Sequence, residues 1–118
     1  WAFRDHPQRF YNWMRPLAKG ILGATPNPAH FALAQMEAMG KVSAIVTQNI
    51  DGLHQAAGSK GVLEIHGHLR SVSCLNCGRQ EASKAYLDAF IQTGEPPLCP
   101  NCGEVMKPDI VLFGEALP

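Results

Sequence analysis

The sequence predicts an α/β fold in which a helical segment leads into a short parallel sheet that carries an inserted four-cysteine zinc module. Three observations support this class. Short apolar runs with little alternation are typical of strands covered on both faces of a parallel sheet. Helical periodicity with capping residues precedes these runs, and two C-x-x-C-G motifs separate the second run from the third. The expected division is 1–41 for the helical segment, 42–73 and 103–118 for a partial core, and 74–102 for the zinc module.

The composition is that of a folded globular protein. With 46% hydrophobic and 17% charged residues, the 118-residue chain is not a disordered tail. Ten basic and ten acidic side chains cancel, so we expect neither a nucleic acid nor a membrane partner. The first residues lack the pattern of a leader, which favours a cytoplasmic protein. The missing initiating Met and the end just after an apolar run lead us to expect a fragment.

The first predicted helix begins with Asp5 as its N-cap and Pro7 in its opening turn. Pro16 should kink or split this helix because a proline removes a backbone hydrogen bond. Its apolar stripe follows spacings of three and four residues and consists of Phe10, Trp13, Met14 and Leu17.

The second predicted helix has clearer end signals. Asn27 is a good N-cap, Pro28 suits the first helical position, and Gly40 stands where a left-handed residue would end the helix. Two histidines, His6 and His30, are expected on helix surfaces without a role. The stripe is expected to belong to the core, with methionines as filler rather than cofactor contacts: Ala29, Ala32, Leu33, Met36 and Met39.

Polar residues follow the first apolar run, 42–47. Gln48, Asn49 and Asp51 come directly after it, and ligands in open α/β sheets bind beyond the carboxyl ends of the strands. Their amide and carboxylate groups could bind a sugar hydroxyl or a carboxamide, as in a nucleotide pocket. Alternatively, Asn49 and Asp51 form a turn and cap a short helix that ends at Gly58.

A histidine follows the second run, 62–65. His66 can exchange a proton near neutral pH, which makes it a candidate general base. His68 would lie on the same face if the strand continued, so a paired-histidine metal site with Glu64 is an alternative. The third run, 110–113, also leads into a turn, and together the three runs predict a sheet edge that lines a cleft.

The two C-x-x-C-G motifs predict one structural zinc ion. Zinc prefers four tetrahedral thiolates, and two intervening residues let both sulfurs of a pair reach one ion. A helix is expected between the motifs from Ser83 to Gln92, closed by Gly94. A closed thiolate shell leaves no position for water, so the metal should stabilise the segment and not catalyse. Two disulfides or a redox pair are the alternatives, and the expected ligands are Cys74, Cys77, Cys99 and Cys102.

Taken together, these motifs resemble one family. In chain order they read TQNIDGLH at 47–54, AGS at 57–59, EIHG at 64–67, the two cysteine motifs, and KPDIVLFGE at 107–115. This order is similar to that of the sirtuins, the NAD-dependent protein lysine deacylases, and closest to the compact bacterial and archaeal type. The resemblance implies a partial Rossmann-like sheet with an inserted zinc ribbon. The family's glycine-rich G-A-G segment is absent from the sequence, so we expect the fragment alone to be inactive.

The resemblance implies a role for each motif. Gln48 and Asn49 would contact the ribose region of NAD, and Ile50 and Asp51 would line the nicotinamide pocket. His66 would be the general base, and the products would be free lysine, nicotinamide and O-acyl-ADP-ribose. The acyl-lysine protein or peptide would add as a strand beside four residues of the last motif: Val111, Phe113, Gly114 and Glu115.

The resemblance also bears on the acyl group and on rival functions. Family members that remove succinyl groups carry a Tyr with an Arg three residues later, whereas here Met14 follows Tyr11 at that spacing and Arg15 stands one place further. Neutral acyl groups, acetyl first, are therefore expected. The alternatives are an NAD-dependent protein ADP-ribosyltransferase, which would use the same pocket, and a non-catalytic zinc-ribbon module that binds protein.

Overall fold

The structure is a computed structural model that describes residues 2–112 and 115–117. Phe113 and Gly114, two residues of the expected peptide groove, lie outside the described residues. The helices are α1 (Ala2–Asp5), α2 (Pro7–Leu22), α3 (Pro28–Ala38), α4 (Leu53–Ala56) and α5 (Lys84–Thr93). The strands are β1 (Ile45–Thr47), β2 (Val62–Glu64), β3 (Gly67–Cys74), β4 (Gln80–Ala82) and β5 (Met106–Ile110).

Two small sheets organise the described chain. β1 and β2 pair in parallel, and β3 is the central strand of an antiparallel sheet with the order β4-β3-β5. The predicted α/β class, with a parallel sheet, helices and four clustered cysteines, is confirmed. The third apolar run does not extend the parallel sheet, because β5 ends at Ile110 and pairs antiparallel with β3. β3 leads into the cysteine segment and β5 leads out of it. The two strands lie side by side and antiparallel, so β5 joins the second sheet.

The parallel pair is not covered on both faces. Val46 of β1 lies beside Leu63 of β2, and these side chains are 64% and 56% exposed. The expectation of a strand buried on both faces is therefore wrong for the described residues. The reason is that no element of the described chain packs over this face of the pair.

Helix α2 supplies much of the core, but through a different stripe from the predicted one. Trp13 is 62% exposed and Leu17 is 42% exposed, and both line an open cavity instead of the core. The buried side chains of α2, which pack with Leu87 and Phe90 of α5, are Phe10, Tyr11, Met14 and Ala18.

The structure corrects the predicted start of α2 and excludes a split at Pro16. Its N-cap is His6 and not Asp5, because Asp5 is the last residue of α1. The helix also runs through Pro16 without splitting. The carbonyl that loses its partner there belongs to Asn12, which is exposed and can be hydrogen-bonded by water.

Helix α3 has the predicted ends but not the predicted burial. Asn27 Oδ1 accepts from the His30 N–H at 3.0 Å, and His30 Nδ1 accepts from the Asn27 N–H at 3.0 Å. His30 thus closes a capping box, so the expectation that it has no role is wrong. Gly40 has the predicted positive φ of 76°. No residue of α3 is buried, so its stripe is not core in the described chain, where only α4 makes substantial contact with it.

Candidate active-site cleft and zinc centre

A cavity of about 660 Å³ opens between α2, the chain that follows β1 and the chain that follows β5. It brings together seven residues that the sequence analysis singled out: Gln48, Asn49, Ile50, Asp51, His66, Val111 and Glu115. Its other lining residues are Trp13, Leu17, Ile21, Ile110 and Leu112. Polar groups from the strand ends therefore face an apolar wall, which is the usual make-up of a small-molecule pocket.

The turn after β1 is fixed by hydrogen bonds to its own backbone. The Asn49 N–H donates to Thr47 Oγ1 at 3.0 Å, and the Leu53 N–H donates to Asp51 Oδ1 at 3.0 Å. Gly52 takes a φ of 67° before α4 begins. Asp51 thus makes the predicted turn and also lines the cavity, so the two interpretations of this segment are compatible.

His66 lies in the turn between β2 and β3. The Ile65 N–H donates to the Thr47 carbonyl at 3.1 Å, which carries the parallel pairing one residue beyond β2. The Val111 N–H then donates to the His66 carbonyl at 2.8 Å. Backbone contacts from both sheets therefore hold the half-buried His66 at the cavity.

The glycine after His66 allows a very close approach of two chains. Gly67 has a φ of 81°, and a Cβ atom there would lie 2.1 Å from the Asp109 carbonyl oxygen and 2.9 Å from the Ile110 Cα. Only glycine fits such a position without movement of β5. The H-G pair of the sequence thus combines a titratable side chain with the turn that positions it.

The paired-histidine metal site is not supported. β2 ends at Glu64 and β3 begins at Gly67, so no continuous strand places His66 and His68 on one face. Both Glu64 carboxylate oxygens accept from the Arg70 guanidinium, at 3.0 and 2.5 Å. This hydrogen bonding lowers the pKa of Glu64 and uses the carboxylate that a third metal ligand would require.

The four cysteines form a compact cluster whose chemistry fits zinc. Their sulfur atoms all lie within 4.8 Å of one another, and all four thiols are free. Among the described residues this is the one group of three or more side chains that could hold a metal ion. The ligand set is Cys74, Cys77, Cys99 and Cys102, and its geometry is compatible with one structural zinc ion.

Backbone amides support this cluster. The Cys77 N–H donates to Cys74 Sγ at 3.5 Å, and the Asn101 N–H donates to Cys99 Sγ at 3.4 Å. A backbone hydrogen bond at Arg79 and the Asn101 side chain lower the pKa of the Cys77 thiol to about 6. At Cys77 such donors favour the thiolate, which is the form that binds a metal. At Cys74, despite the amide donors, burial and hydrogen bonds with the neighbouring thiols raise the pKa to about 11.

The turns of the cysteine module follow the predicted pattern. Gly78 and Gly103 have φ values of 79° and 81°, as expected where the backbone curls after each cysteine pair. Helix α5 follows Ser83 and ends at Gly94, whose φ is 78°. The predicted helix between the two motifs is therefore confirmed.

Sequence reasoning missed the α2 wall of the cleft. Trp13, Leu17 and Ile21 stand four residues apart and form a second apolar stripe beside the buried one. This double stripe was the signal that could have identified a helix with both a core face and a ligand face. Separately, none of the helices in the described chain has the length and hydropathy needed to cross a membrane.

Comparisons with known proteins agree with these observations. The model of the Sir2 family matches residues 2–118. The NAD-dependent protein deacetylase of Sulfurisphaera tokodaii is 49% identical and matches 96% of this chain, and the NAD-dependent protein deacylase of Pyrococcus furiosus is 46% identical and matches 99%. The matched parts are 45% and 47% of those proteins, so the chain spans about half the length of the curated relatives it matches.

Solved structures give the same result. Sir2Tm bound to a propionylated peptide superposes with a TM-score of 0.90 at 39% identity, over 99% of this chain and 49% of that one. Sir2Af2 bound to a myristoylated histone peptide gives 0.87 at 44% identity, over 98% and 49%. On the strength of the family match over nearly its whole length, the chain belongs to the Sir2 family.

Proposed function

We propose that these 118 residues form part of an NAD-dependent protein lysine deacylase that acts on neutral acyl groups, acetyl first, and releases nicotinamide and O-acyl-ADP-ribose. The observation that carries the proposal is the single cavity that brings His66 together with Gln48, Asn49 and Asp51 and with Val111. Relatives named as NAD-dependent protein deacetylases and deacylases support it. The experiments use a polypeptide of the relatives' length that contains these residues, here called the full-length protein.

The cavity suits the nicotinamide half of NAD. The nicotinamide of NAD is a flat ring with one carboxamide, and such a group needs an apolar wall and a few hydrogen-bonding groups. Trp13, Leu17 and Ile50 provide apolar surface, while Asn49 and Asp51 provide amide and carboxylate groups. A solved relative described as Sir2-p53 peptide-NAD+ superposes with a TM-score of 0.86. Bound NAD would supply a ribose carbon that accepts the acyl oxygen and nicotinamide as the leaving group.

The chain's own residues would then perform three tasks. Gln48 and Asn49 would hydrogen-bond the ribose, and Ile50 and Asp51 would orient the carboxamide. The His66 imidazole would accept a proton from a ribose hydroxyl, which suits a group that titrates near neutral pH. Its placement at the cavity rim, with its backbone held by Val111, supports this role.

The groove for the acyl-lysine peptide would run along Val111, Phe113, Gly114 and Glu115, where a peptide strand could add through main-chain hydrogen bonds. The position of Arg15 supports a neutral acyl group. Its guanidinium donates to the Ile91 carbonyl at 3.0 and 2.7 Å and to the Gln92 carbonyl at 3.1 Å. Arg15 is thus engaged at the end of α5 and does not line the cavity. Among the described residues that line the cavity none is a lysine or arginine that could pair with an acidic acyl group.

We further propose that the cysteine cluster binds one structural zinc ion per chain and that residues 74–102 form the zinc module of a catalytic core made of 42–73 and 103–118. Residues 1–41 would then be the helical segment that covers the cleft. We also propose a cytoplasmic location, because four free thiols in one cluster suit a reducing compartment. Cell fractionation would test the location.

Product analysis tests the proposed activity. The full-length protein is incubated with NAD and an acetyl-lysine peptide, and the products are identified by mass spectrometry. We expect equal amounts of deacetylated peptide, nicotinamide and O-acetyl-ADP-ribose. ADP-ribose that stays attached to protein would instead indicate a transferase. No consumption of NAD, with the zinc module folded, would indicate a binding module.

A further inference from the structure

Lys107 is the first residue of the KPDIVLFGE motif, and the proposed chemistry gives this buried charge no role. Lys107 is only 7% exposed, although it lies in β5 next to the cleft. Its Nζ donates to the Pro108 carbonyl at 3.0 Å and to the Ile110 carbonyl at 2.6 Å, and it lies 3.4 Å from Glu115 Oε1. A buried ammonium is costly unless it is paired and hydrogen-bonded, so this arrangement requires all three acceptors to stay in place.

One of these acceptors connects Lys107 to His66. The peptide group between Ile110 and Val111 accepts from Lys107 Nζ through its carbonyl, and its N–H donates to the His66 carbonyl at 2.8 Å. A cation on the carbonyl side polarises the peptide group and strengthens the hydrogen bond that the N–H donates. Lys107 therefore acts on the backbone of His66 through one shared peptide unit.

A second acceptor connects Lys107 to the proposed peptide groove. Ile110, Val111, Leu112 and Glu115 all line the cavity. Lys107 Nζ binds the carbonyl of the first of these residues and the carboxylate of the last. A side chain that fixes two residues of a binding surface reduces the freedom that a bound peptide would otherwise have to remove.

We propose that Lys107 is a positioning residue, whose buried ammonium sets both the backbone of His66 and two cavity-lining residues, Ile110 and Glu115, beside which the acyl-lysine peptide would bind. This inference rests on the proposed deacylase function. Lys107 itself would contact neither the substrate nor the cofactor. Because no hydrogen bond or ion pair among the described residues joins Lys107 to the turn at 48–51, its loss should affect the peptide and the proton transfer more than NAD binding.

The test compares three variants of the full-length protein. Lys107→Met keeps an apolar stem of similar length and removes the charge, whereas Lys107→Arg keeps the charge. Lys84→Met is the matched control, because the Lys84 side chain is 89% exposed on α5 and, among the described residues, forms an ion pair with Asp88 alone. For Lys107→Met we expect about a tenfold rise in the KM for the peptide and about a tenfold fall in kcat. The KM for NAD should change less than about twofold, Lys107→Arg should recover part of the loss, and the control should match the wild type.

Amide hydrogen exchange provides a readout that does not depend on activity. If Lys107 holds the Ile110–Val111 peptide group, the Val111 amide should exchange about tenfold faster in Lys107→Met and at the wild-type rate in Lys84→Met. Unchanged exchange and unchanged peptide KM would overturn the inference. Equal increases in the KM for NAD and in the KM for the peptide, together with a lower melting temperature, would overturn the inference in favour of a general structural role. Val111 exchange that is faster in Lys107→Met than in the wild type, combined with a wild type that has no deacylase activity, would refute the proposed function and leave the positioning role of Lys107 intact.

Discussion

Gly67→Ala is the substitution for which the structure gives the sharpest prediction. The new Cβ atom would lie 2.1 Å from the Asp109 carbonyl oxygen, a distance that requires β3 or β5 to move. The positive φ of 81° adds a backbone cost of about 1–2 kcal/mol for any residue with a Cβ. Overpacking of this kind adds about 1–3 kcal/mol. We therefore expect a loss of about 2–5 kcal/mol in the free energy of unfolding.

Gly40→Ala is the matched control for this prediction. Gly40 has a similar φ of 76°, but a Cβ there would meet nothing within 4 Å. Gly40→Ala should therefore lower the free energy of unfolding only by the backbone cost of about 1–2 kcal/mol. Urea unfolding of the full-length protein and both variants measures the difference, and kcat should fall in Gly67→Ala because Val111, the residue that follows β5, donates the hydrogen bond to the His66 carbonyl. Equal losses of stability in the two variants would refute the argument that close approach at Gly67 positions this turn.

Three further predictions concern the core, the metal and a helix cap. Tyr11→Phe should cost about 1–3 kcal/mol by removing the buried hydrogen bond to the Met106 carbonyl. Burial raises the pKa of Tyr11, so wild-type stability should fall above about pH 10 as the unfolded state loses this proton, and less so in Tyr11→Phe; parallel pH curves would contradict this. Cys102→Ser should lower the zinc content and loosen the module, and full retention of one zinc would argue against ligation. Asn27→Ala should cost about 1 kcal/mol in thermal unfolding, since the reciprocal cap with His30 is lost; no loss would argue against the cap.

Features set by local chemistry were predictable from the sequence. The cap at Asn27 and the left-handed Gly40 and Gly94 follow from side-chain and backbone preferences within a few residues. The cysteine cluster was equally accessible, because the spacing of a C-x-x-C pair already places two sulfurs on one side of a turn. These are short-range effects that tertiary packing did not override.

Features set by tertiary packing were not predictable in the same way. Helix α2 has apolar residues on more than one face, so period alone could not show that Tyr11 faces the core and Trp13 faces the cleft. Lys107 has no sequence signal of burial, because a lysine beside a proline is ordinarily a solvated residue. Its burial depends on acceptors from Ile110, at the end of β5, and from Glu115, beyond β5, and only the folded chain brings both within reach of the ammonium.

The exposed pair Val46 and Leu63 shows a third limit. Their apolar character correctly indicated strands, but the covering layer that such strands usually have is not present in the described chain. The prediction of burial relied on an average property of parallel sheets and not on any residue of this sequence. Strand identity was therefore easier to predict than strand environment.

The release of nicotinamide by the full-length protein tests the central claim most directly. It is measured with NAD present, with and without an acetyl-lysine peptide, in the wild type and in His66→Ala. We predict that release over many turnovers depends on the peptide and is at least about 100-fold slower in His66→Ala, with the zinc content unchanged. Peptide-dependent release that is as fast in His66→Ala as in the wild type would contradict the role assigned to this histidine. Release that does not depend on the acetylated peptide would contradict the proposed reaction.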